Sequence, residues 1–436
     1  MTQAPTTSLL RSVVTLFTGT LLAQAVPFLF APLIARLYNA DQFAVFGTLL
    51  AVFNILAVVV AGRYDQAVVL PPDPARAMHL VKGALLVVLC ISLTSGLLLF
   101  LFGRQLEQSL GLPGLQDVIG PLILLVMLGG VQLVLMQWML RVRAYGALAR
   151  QKVAQAIGIT VFTLLFGWLA ARNGLVWGYL IGWSLYTAIT VWTVVRRFPL
   201  LPGWEWSGIR AALVAYRAWP LHNAWPAVLN ATASGMAVIY MASYFTAEET
   251  GQHNFARQYL LVPISMVSVA LGQVLFERTA TRVRDGVPIR AGLRVVILSL
   301  LAAALIIAVI ITLFGEPLFA WLFGERWRMA GQSARILVWG YAAQLVAGPL
   351  GTQLIALGRV KAAMVFPVLF ASLLGILSFA PHGSAMRFMG LLSATEVVAY
   401  GAYALWVWHH VRQHDLGVEQ HGPGHDRSTD AGRSGP

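Results

Sequence analysis

Charge is scarce in this 436-residue chain: Asp, Glu, Lys and Arg together make up 11% of it, against 58% hydrophobic residues. Soluble domains carry about 25% charged residues, so a water-facing surface of ordinary polarity is excluded. A net charge of +13 would otherwise suggest nucleic acid as a partner. That needs a soluble basic face, and here the Arg residues stand singly at the ends of apolar runs, so no nucleic-acid role is expected. Cysteine is nearly absent. Cys90 is the single one and lies inside an apolar run, which rules out an intrachain disulfide framework and a Cys-based metal site. Zinc-ligand spacings and nucleophile motifs are missing too, so no catalytic residue, metal or cofactor is assigned. Lysine is rare, 3 against 27 arginines, a ratio that fits a GC-rich genome and says little about mechanism.

What is present is apolar sequence, with a mean hydropathy of +0.74. A bilayer core needs about 20 apolar residues per helix, and the chain supplies such runs repeatedly. Spans are predicted at 12–35, 43–61, 80–102, 118–140, 153–171, 175–195, 219–244, 255–276, 293–314, 334–357, 361–380 and 389–411. This is an all-α integral membrane protein of about twelve transmembrane helices. The first segment carries Arg11, is longer than a signal-peptide core and lacks a clean cleavage pattern, so it reads as a retained helix. With an even number of spans both termini share a side. The loops on that side hold 22 of the 30 Lys and Arg residues and the opposite loops hold 8, which puts both termini in the cytoplasm by the positive-inside rule. The stretch from Gln413 to Pro436 is rich in Gly, His and Asp without an apolar face, and is expected to be a disordered tail.

The two halves echo each other. Tyr38-Asn39-Ala40-Asp41-Gln42-Phe43-Ala44 lines up with Phe245-Thr246-Ala247-Glu248-Glu249-Thr250-Gly251 at an offset of 207. Leu101-Phe102-Gly103 with Leu106 and Leu110-Gly111 lines up with Leu313-Phe314-Gly315 with Leu318, Leu322 and Phe323-Gly324 at 212. These matches suggest a parallel repeat: an N-terminal six-helix bundle (1–197), a basic linker (198–217), a second bundle (218–412) and the tail (413–436). Chance likeness between short apolar strings is the other reading. Transporters of this build place their path between the halves, near the midplane.

The run Ile34-Ala35-Arg36-Leu37-Tyr38-Asn39-Ala40-Asp41-Gln42-Phe43-Ala44-Val45-Phe46-Gly47 resembles the first-loop pattern of polysaccharide flippases in the multidrug/oligosaccharidyl-lipid/polysaccharide exporter superfamily. Gly62-Arg63-Tyr64-Asp65-Gln66-Ala67-Val68-Val69-Leu70 is similar to that family's second motif, and Leu322-Phe323-Gly324-Glu325-Arg326-Trp327-Arg328-Met329-Ala330-Gly331 to its motif before the tenth helix. The resemblance runs in register from about residue 8 to 410. It implies two bundles around a cavity, alternating access, a bacterial inner-membrane location and an undecaprenyl-diphosphate-linked oligosaccharide as cargo. It also implies export of a surface polysaccharide, such as O-antigen of lipopolysaccharide, capsule or exopolysaccharide, in company with a polymerase and chain-length machinery. The sugar and diphosphate cannot cross about 30 Å of hydrocarbon bare, whereas the lipid tail can stay in the bilayer. A diphosphate calls for Arg, and sugars call for amides, hydroxyls and aromatic faces.

Candidate residues follow from that chemistry. Asn223, Asn230 and Ser234 share one face of the seventh span with His222 beside them, either as a sugar-contacting wall or as a hydrogen-bonded helix seam. Arg257, Ser265 and Ser268 share a face of the eighth span with Gly272, and Arg257 would meet a diphosphate or snorkel to water. Asn54 and Asp65 lie on one side of the second span if it continues through Arg63; otherwise Arg63 and Asp65 form a cap or surface pair. Glu396 is an acid inside the last span, costing about 2.5–3.5 kcal/mol on insertion scales. It is a coupling-ion or Arg-pairing candidate, or else a structural group hydrogen-bonded to a neighbouring Ser or Thr. Gln344, Gly348, Gly351 and Thr352 read as close packing. Gln273 is kept as a lesser substrate-binding candidate, with Gln24, Gln132 and Gln137 as polar singles.

A drug or cation antiporter of the same superfamily is the alternative, although cationic cargo calls for acidic cavity residues and Glu396 is nearly alone. The peptidoglycan-precursor branch typically has two more C-terminal helices than this chain can supply. A membrane polymerase or ligase needs a sizeable outer loop, and the longest predicted one, 315–333, contains no His and no Asp. A transporter rather than an enzyme is therefore expected.

Overall fold

The computed structural model describes residues 19, 22–110, 114–198, 203–363, 365–379 and 383–421. Arg11 and most of the start of the first predicted span, Gly111 of the repeat, and residues 422–436 with Arg427 and Arg433 lie outside them. The described residues form helices and short turns, with no strand. After a helical stretch at 22–29 the helices are α1 (Ala31–Leu37), α2 (Ala40–Val59), α3 (Tyr64–Ala67), α4 (Pro74–Leu110), α5 (Leu115–Arg141), α6 (Tyr145–Trp168), α7 (Gly174–Arg197) and α8 (Trp206–Ala215). They continue as α9 (Ala218–Tyr244), α10 (Ala247–Arg284), α11 (Arg290–Phe323), α12 (Arg328–Ala347), α13 (Gly351–Ala356), α14 (Val360–Ala363), α15 (Val365–Leu377) and α16 (Ala385–His421), with single 3-10 turns at Glu325–Trp327 and Gly348–Leu350.

Among the described residues, seven helices are long and apolar enough to cross a membrane: α2, α4, α5, α7, α10, α11 and α16. The described residues of the other predicted spans also fall mostly on helix, at 22–29 with 31–37, 145–168, 218–244, 328–356, and 360–363 with 365–377. Several helices outrun their predicted spans. At 37 residues α4 is about 55 Å long, well beyond the hydrocarbon thickness. Helix α11 runs to Phe323 and α12 starts at Arg328, so the outer segment expected at 315–333 is mostly helix. The last helix continues to His421, past residue 412 where the bundle was expected to end.

The two strings that line up between the halves share one local structure. Tyr38 and Phe245 are extended and close the preceding helix. Asn39 and Gln42 then exchange reciprocal side-chain-to-backbone bonds at 3.0 and 3.1 Å, and Thr246 and Glu249 do the same at 3.2 and 3.1 Å. Each is a capping box that satisfies the first free N–H groups of a helix.

Packing divides the chain into two compact units, Met1–Ala256 with Glu316–Gly331, and Arg257–Gly315 with Gln332–Pro436. In the first, the resemblance-bearing strings 34–47 and 322–331 meet around Trp327, which is fully buried. Its indole N–H donates to the Ala35 carbonyl at 2.8 Å, its ring stacks on Phe255 at 3.7 Å, and Phe43 packs edge-on at 5.1 Å. Arg326 donates to the Tyr38 carbonyl. Gln252 of α10 donates to the Arg326 carbonyl and accepts from the Ala330 N–H. At Gly251 a Cβ would run into the Ala40 backbone, so only glycine lets α10 lie this close to the start of α2. These motif residues therefore build a clasp, which accounts for their spacing by packing.

The second unit has its core where α10, α11, α13 and α16 meet, with Leu275, Leu293, Leu354, Tyr403 and Val407 buried together. Thr352 donates to the Gly272 carbonyl at 3.1 Å, and Ser268 lies in close contact with Gly348, the close packing expected of that face. Asp415, buried in the last turns of α16, accepts the N–H groups of Ile289 and Arg290 at 3.0 and 2.7 Å and so caps α11 from 125 residues away.

Candidate functional site

Glu396 lies on α16 and is 8% exposed, and its Oε2 has no hydrogen-bond partner. Arg257 of α10 is half-buried, and its field reaches Glu396 as well as the hydroxyls of Tyr341 on α12 and Tyr400 on α16. Register is set one turn earlier on α16, where the Ser393 hydroxyl donates to the Ile336 carbonyl at 2.8 Å and accepts the Gly340 N–H at 3.1 Å. Gly340 then leaves the space that the carboxylate fills, because a Cβ there would collide with Oε2. The Ser393 hydroxyl is thereby committed to α12 and not to Glu396. Glu396 and Arg257 stand out separately in the sequence, whereas Gly340, Tyr341, Ser393 and Tyr400 do not. The spacing Ser393, Glu396, Tyr400 at i, i+3 and i+7 was the available signal for one polar face on α16.

In the other unit α9 packs against α2, with Gly235 against Ala51 and Ile55. Asn54, three residues beyond Ala51, and Ser234, beside Gly235, are both exposed next to that contact, as are His222, Asn223 and Asn230 further along α9. Ser234 Oγ donates to the Asn230 carbonyl at 2.8 Å, and His222 is bonded to the Ala218 carbonyl at 3.0 Å. The amide groups of this row stand on an accessible helix face.

Asn54 and Asp65 do not share a helix. Helix α2 ends at Val59, and Gly62 and Arg63 both take positive φ, 56° and 59°, before α3 begins. The premise that the second span continues through Arg63 therefore fails, because two left-handed residues in succession break the helical path. Asp65 is buried at the start of α3. Burial pushes its carboxyl above the ordinary range, while Arg63 and the Asp65 and Gln66 N–H groups pull it back. Gln273 is exposed on α10, Ser265 is half-buried and Ser268 is buried. Among the described residues no cluster of His, Cys, Asp or Glu is placed to hold a metal ion.

The chain matches the family of polysaccharide biosynthesis proteins over residues 33–331. No curated protein matches it by sequence. Solved structures share its fold at low identity. The lipid II flippase MurJ, in an inward closed conformation, superposes with a TM-score of 0.72 at 10% identity, covering 94% of this chain and 91% of MurJ. An inward-facing multidrug resistance MATE family transporter of the MOP superfamily gives 0.65 at 13% identity, covering 92% and 99%. The Vibrio cholerae MATE transporter VcmN gives 0.56 at 16%, covering 93% and 96%. Apolar helices in a transporter fold make this a multi-pass membrane protein, and a family match across more than half its length settles its kinship: the chain belongs to the polysaccharide biosynthesis protein family.

Proposed function

We propose that this protein is a flippase that moves an undecaprenyl-diphosphate-linked oligosaccharide from the cytoplasmic to the periplasmic leaflet of a bacterial inner membrane, by alternating access of two six-helix bundles. Twelve crossings and cytoplasmic termini are part of the proposal, the first resting on the apolar runs and the second on the distribution of Lys and Arg. One combination carries it: a chain of a polysaccharide biosynthesis family has the fold of a transporter. MurJ is a flippase of lipid II, which supports lipid-linked cargo here. The exposed amides and hydroxyl of Asn54, Asn223, Asn230 and Ser234 suit sugar hydroxyls, with His222 beside them. Arg257 suits a diphosphate, to which it can offer a bidentate fork, and Glu396 is its counter-charge and the candidate for coupling. Arg63, Asp65 and Gln273 remain candidates at the ends of the path. The glycan would go on to a polymerase and its chain-length partners.

The test is translocation of a labelled undecaprenyl-diphosphate oligosaccharide in proteoliposomes by the native chain and by Glu396→Gln, Arg257→Ala and Asn230→Ala. Transport by the native chain and its loss in well-folded variants is expected. Failure of the native chain to flip, together with uptake of an organic cation, would replace this reading with a drug antiporter.

A further inference from the structure

The transport reading leaves one built feature unused. Helices α4, α5 and α7 enclose an apolar cleft of about 340 Å³, lined by Leu85, Leu89, Val131, Leu135, Val191 and Val195 among others, within the range of small-ligand sites, about 300–1,000 Å³. Leu89, Val191 and Val195 are exposed, so the cleft opens sideways to whatever surrounds the helices. Among the described residues, the side chains that line it are all apolar. Such a space selects a hydrocarbon chain over water, which needs polar partners to stay.

One end of the cleft is basic. Arg196 and Arg197 follow Val195 directly in the last turn of α7, and both are exposed. On α4, Lys82, Leu85 and Leu89 fall at i, i+3 and i+7, so the ammonium stands over the same face at the same end. Two contacts hold that end in place. The indole N–H of Trp138, one turn past Leu135 on α5, donates to the Phe198 carbonyl at 3.1 Å, fixing the end of α7. Lys82 donates to the Gly203 carbonyl and lies 6.0 Å from the centre of the Trp204 ring.

The segment expected only to link two bundles is thus docked on α4. Leu213 of α8 packs on Gly83, and Tyr64 donates to the Leu213 carbonyl. Trp204 and Trp206 stack on each other at 5.7 Å and are 54% and 64% exposed. Exposed Trp beside Arg and Lys at the end of apolar helices is the composition of a membrane–water interface. An apolar slot for a chain, a cationic rim for a phosphate and an aromatic shelf at headgroup level occur together. Basic pockets between membrane helices take anionic lipid headgroups for this reason.

We infer that this protein binds an anionic phospholipid of the phosphatidylglycerol class, one acyl chain in the α4–α5–α7 cleft and its phosphate on Arg196, Arg197 and Lys82. The site lies within one compact unit and does not depend on the identity of the transported cargo.

Native mass spectrometry of the full chain, delipidated in detergent, tests this with phosphatidylglycerol and phosphatidylcholine of equal chain length. A bound phosphatidylglycerol at least five-fold more abundant than phosphatidylcholine is expected. Arg196→Gln with Arg197→Gln should bring the two lipids level. Val191→Phe, which fills the cleft from its exposed rim, should remove both; Val131→Phe does so from the α5 side if the first variant elutes as aggregate. Equal binding of the two lipids by the native chain, or retention of phosphatidylglycerol by the charge and filling variants, overturns the inference. So does displacement of phosphatidylglycerol by equimolar undecaprenyl phosphate with the same dependence on the variants, which would make the cleft a seat for the cargo's tail.

Discussion

Removing the Arg257 side chain leaves Glu396 buried on α16 without the cation whose field reaches it. Taking one partner from a buried ion pair costs about 3–5 kcal/mol. Arg257 is only half-buried, so water already screens part of the pair, and the lower end, about 3 kcal/mol, is expected for Arg257→Ala. Glu396→Gln leaves the more accessible partner behind and replaces the carboxylate by an isosteric amide, for about 1 kcal/mol. Independent sites would give the double variant about 4 kcal/mol, since additivity holds to within about 0.5 kcal/mol for groups that do not interact. A double variant that no longer buries a charge should instead cost about 2 kcal/mol, a coupling of about 2 kcal/mol. The measurement is reversible unfolding by SDS in mixed micelles, applied to the native chain, both single variants and the double. Additive costs would refute the pairing of these two groups. Recovery in the double variant with Gly340→Ala remaining destabilised would fit the packing around Oε2.

Three further outcomes follow from the geometry. Trp327→Ala should cost about 3–5 kcal/mol by emptying the clasp, whereas Trp327→Phe keeps the stack on Phe255 and loses the bond to Ala35, for about 1–3 kcal/mol; no loss in the thermal unfolding of Trp327→Phe would contradict the assigned bond, and equal losses in the two variants would contradict the stack. Asp415→Ala removes the acceptor for Ile289 and Arg290 and should cost about 1–2 kcal/mol, with faster hydrogen exchange confined to the first turn of α11; unchanged protection there would show that Asp415 does not cap it. Asp65 is held above the ordinary Asp range, so its protonated form favours the folded state, a contribution present at acid pH and lost as pH rises through the raised value. The melting temperature of the native chain relative to Asp65→Asn should therefore fall between acid and neutral pH, and a constant difference would count against the burial argument.

The strings 38–44 and 245–251 show what a local pattern can carry. Asn39 with Gln42, and Thr246 with Glu249, are local motifs whose partners stand three residues apart, so their capping function is legible without a tertiary structure. Other elements are less legible. The second span, read to residue 61, ends close to Val59, but the left-handed turn at Gly62 and Arg63 that parts Asp65 from Asn54 is fixed only in the packed chain. The polar run after residue 412 lacks an apolar stripe, yet it is helical to His421 because Asp415 finds two backbone donors at the start of α11. The candidate site divides in the same way: Glu396 stood out as an acid among apolar residues, while Gly340 and Ser393 were indistinguishable from ordinary small residues of a span.

By itself the sequence determined the medium and the class of architecture, since hydropathy is a sum over residues and needs no partner. The tertiary structure decided what sums cannot: that the field of Arg257 reaches Glu396, that the strings 34–47 and 322–331 lock into one clasp around Trp327, and that α8 of the linker docks on α4. Each depends on side chains brought together from distant parts of the chain. Such pairings follow from which helix faces pack, and a one-dimensional pattern does not contain that information.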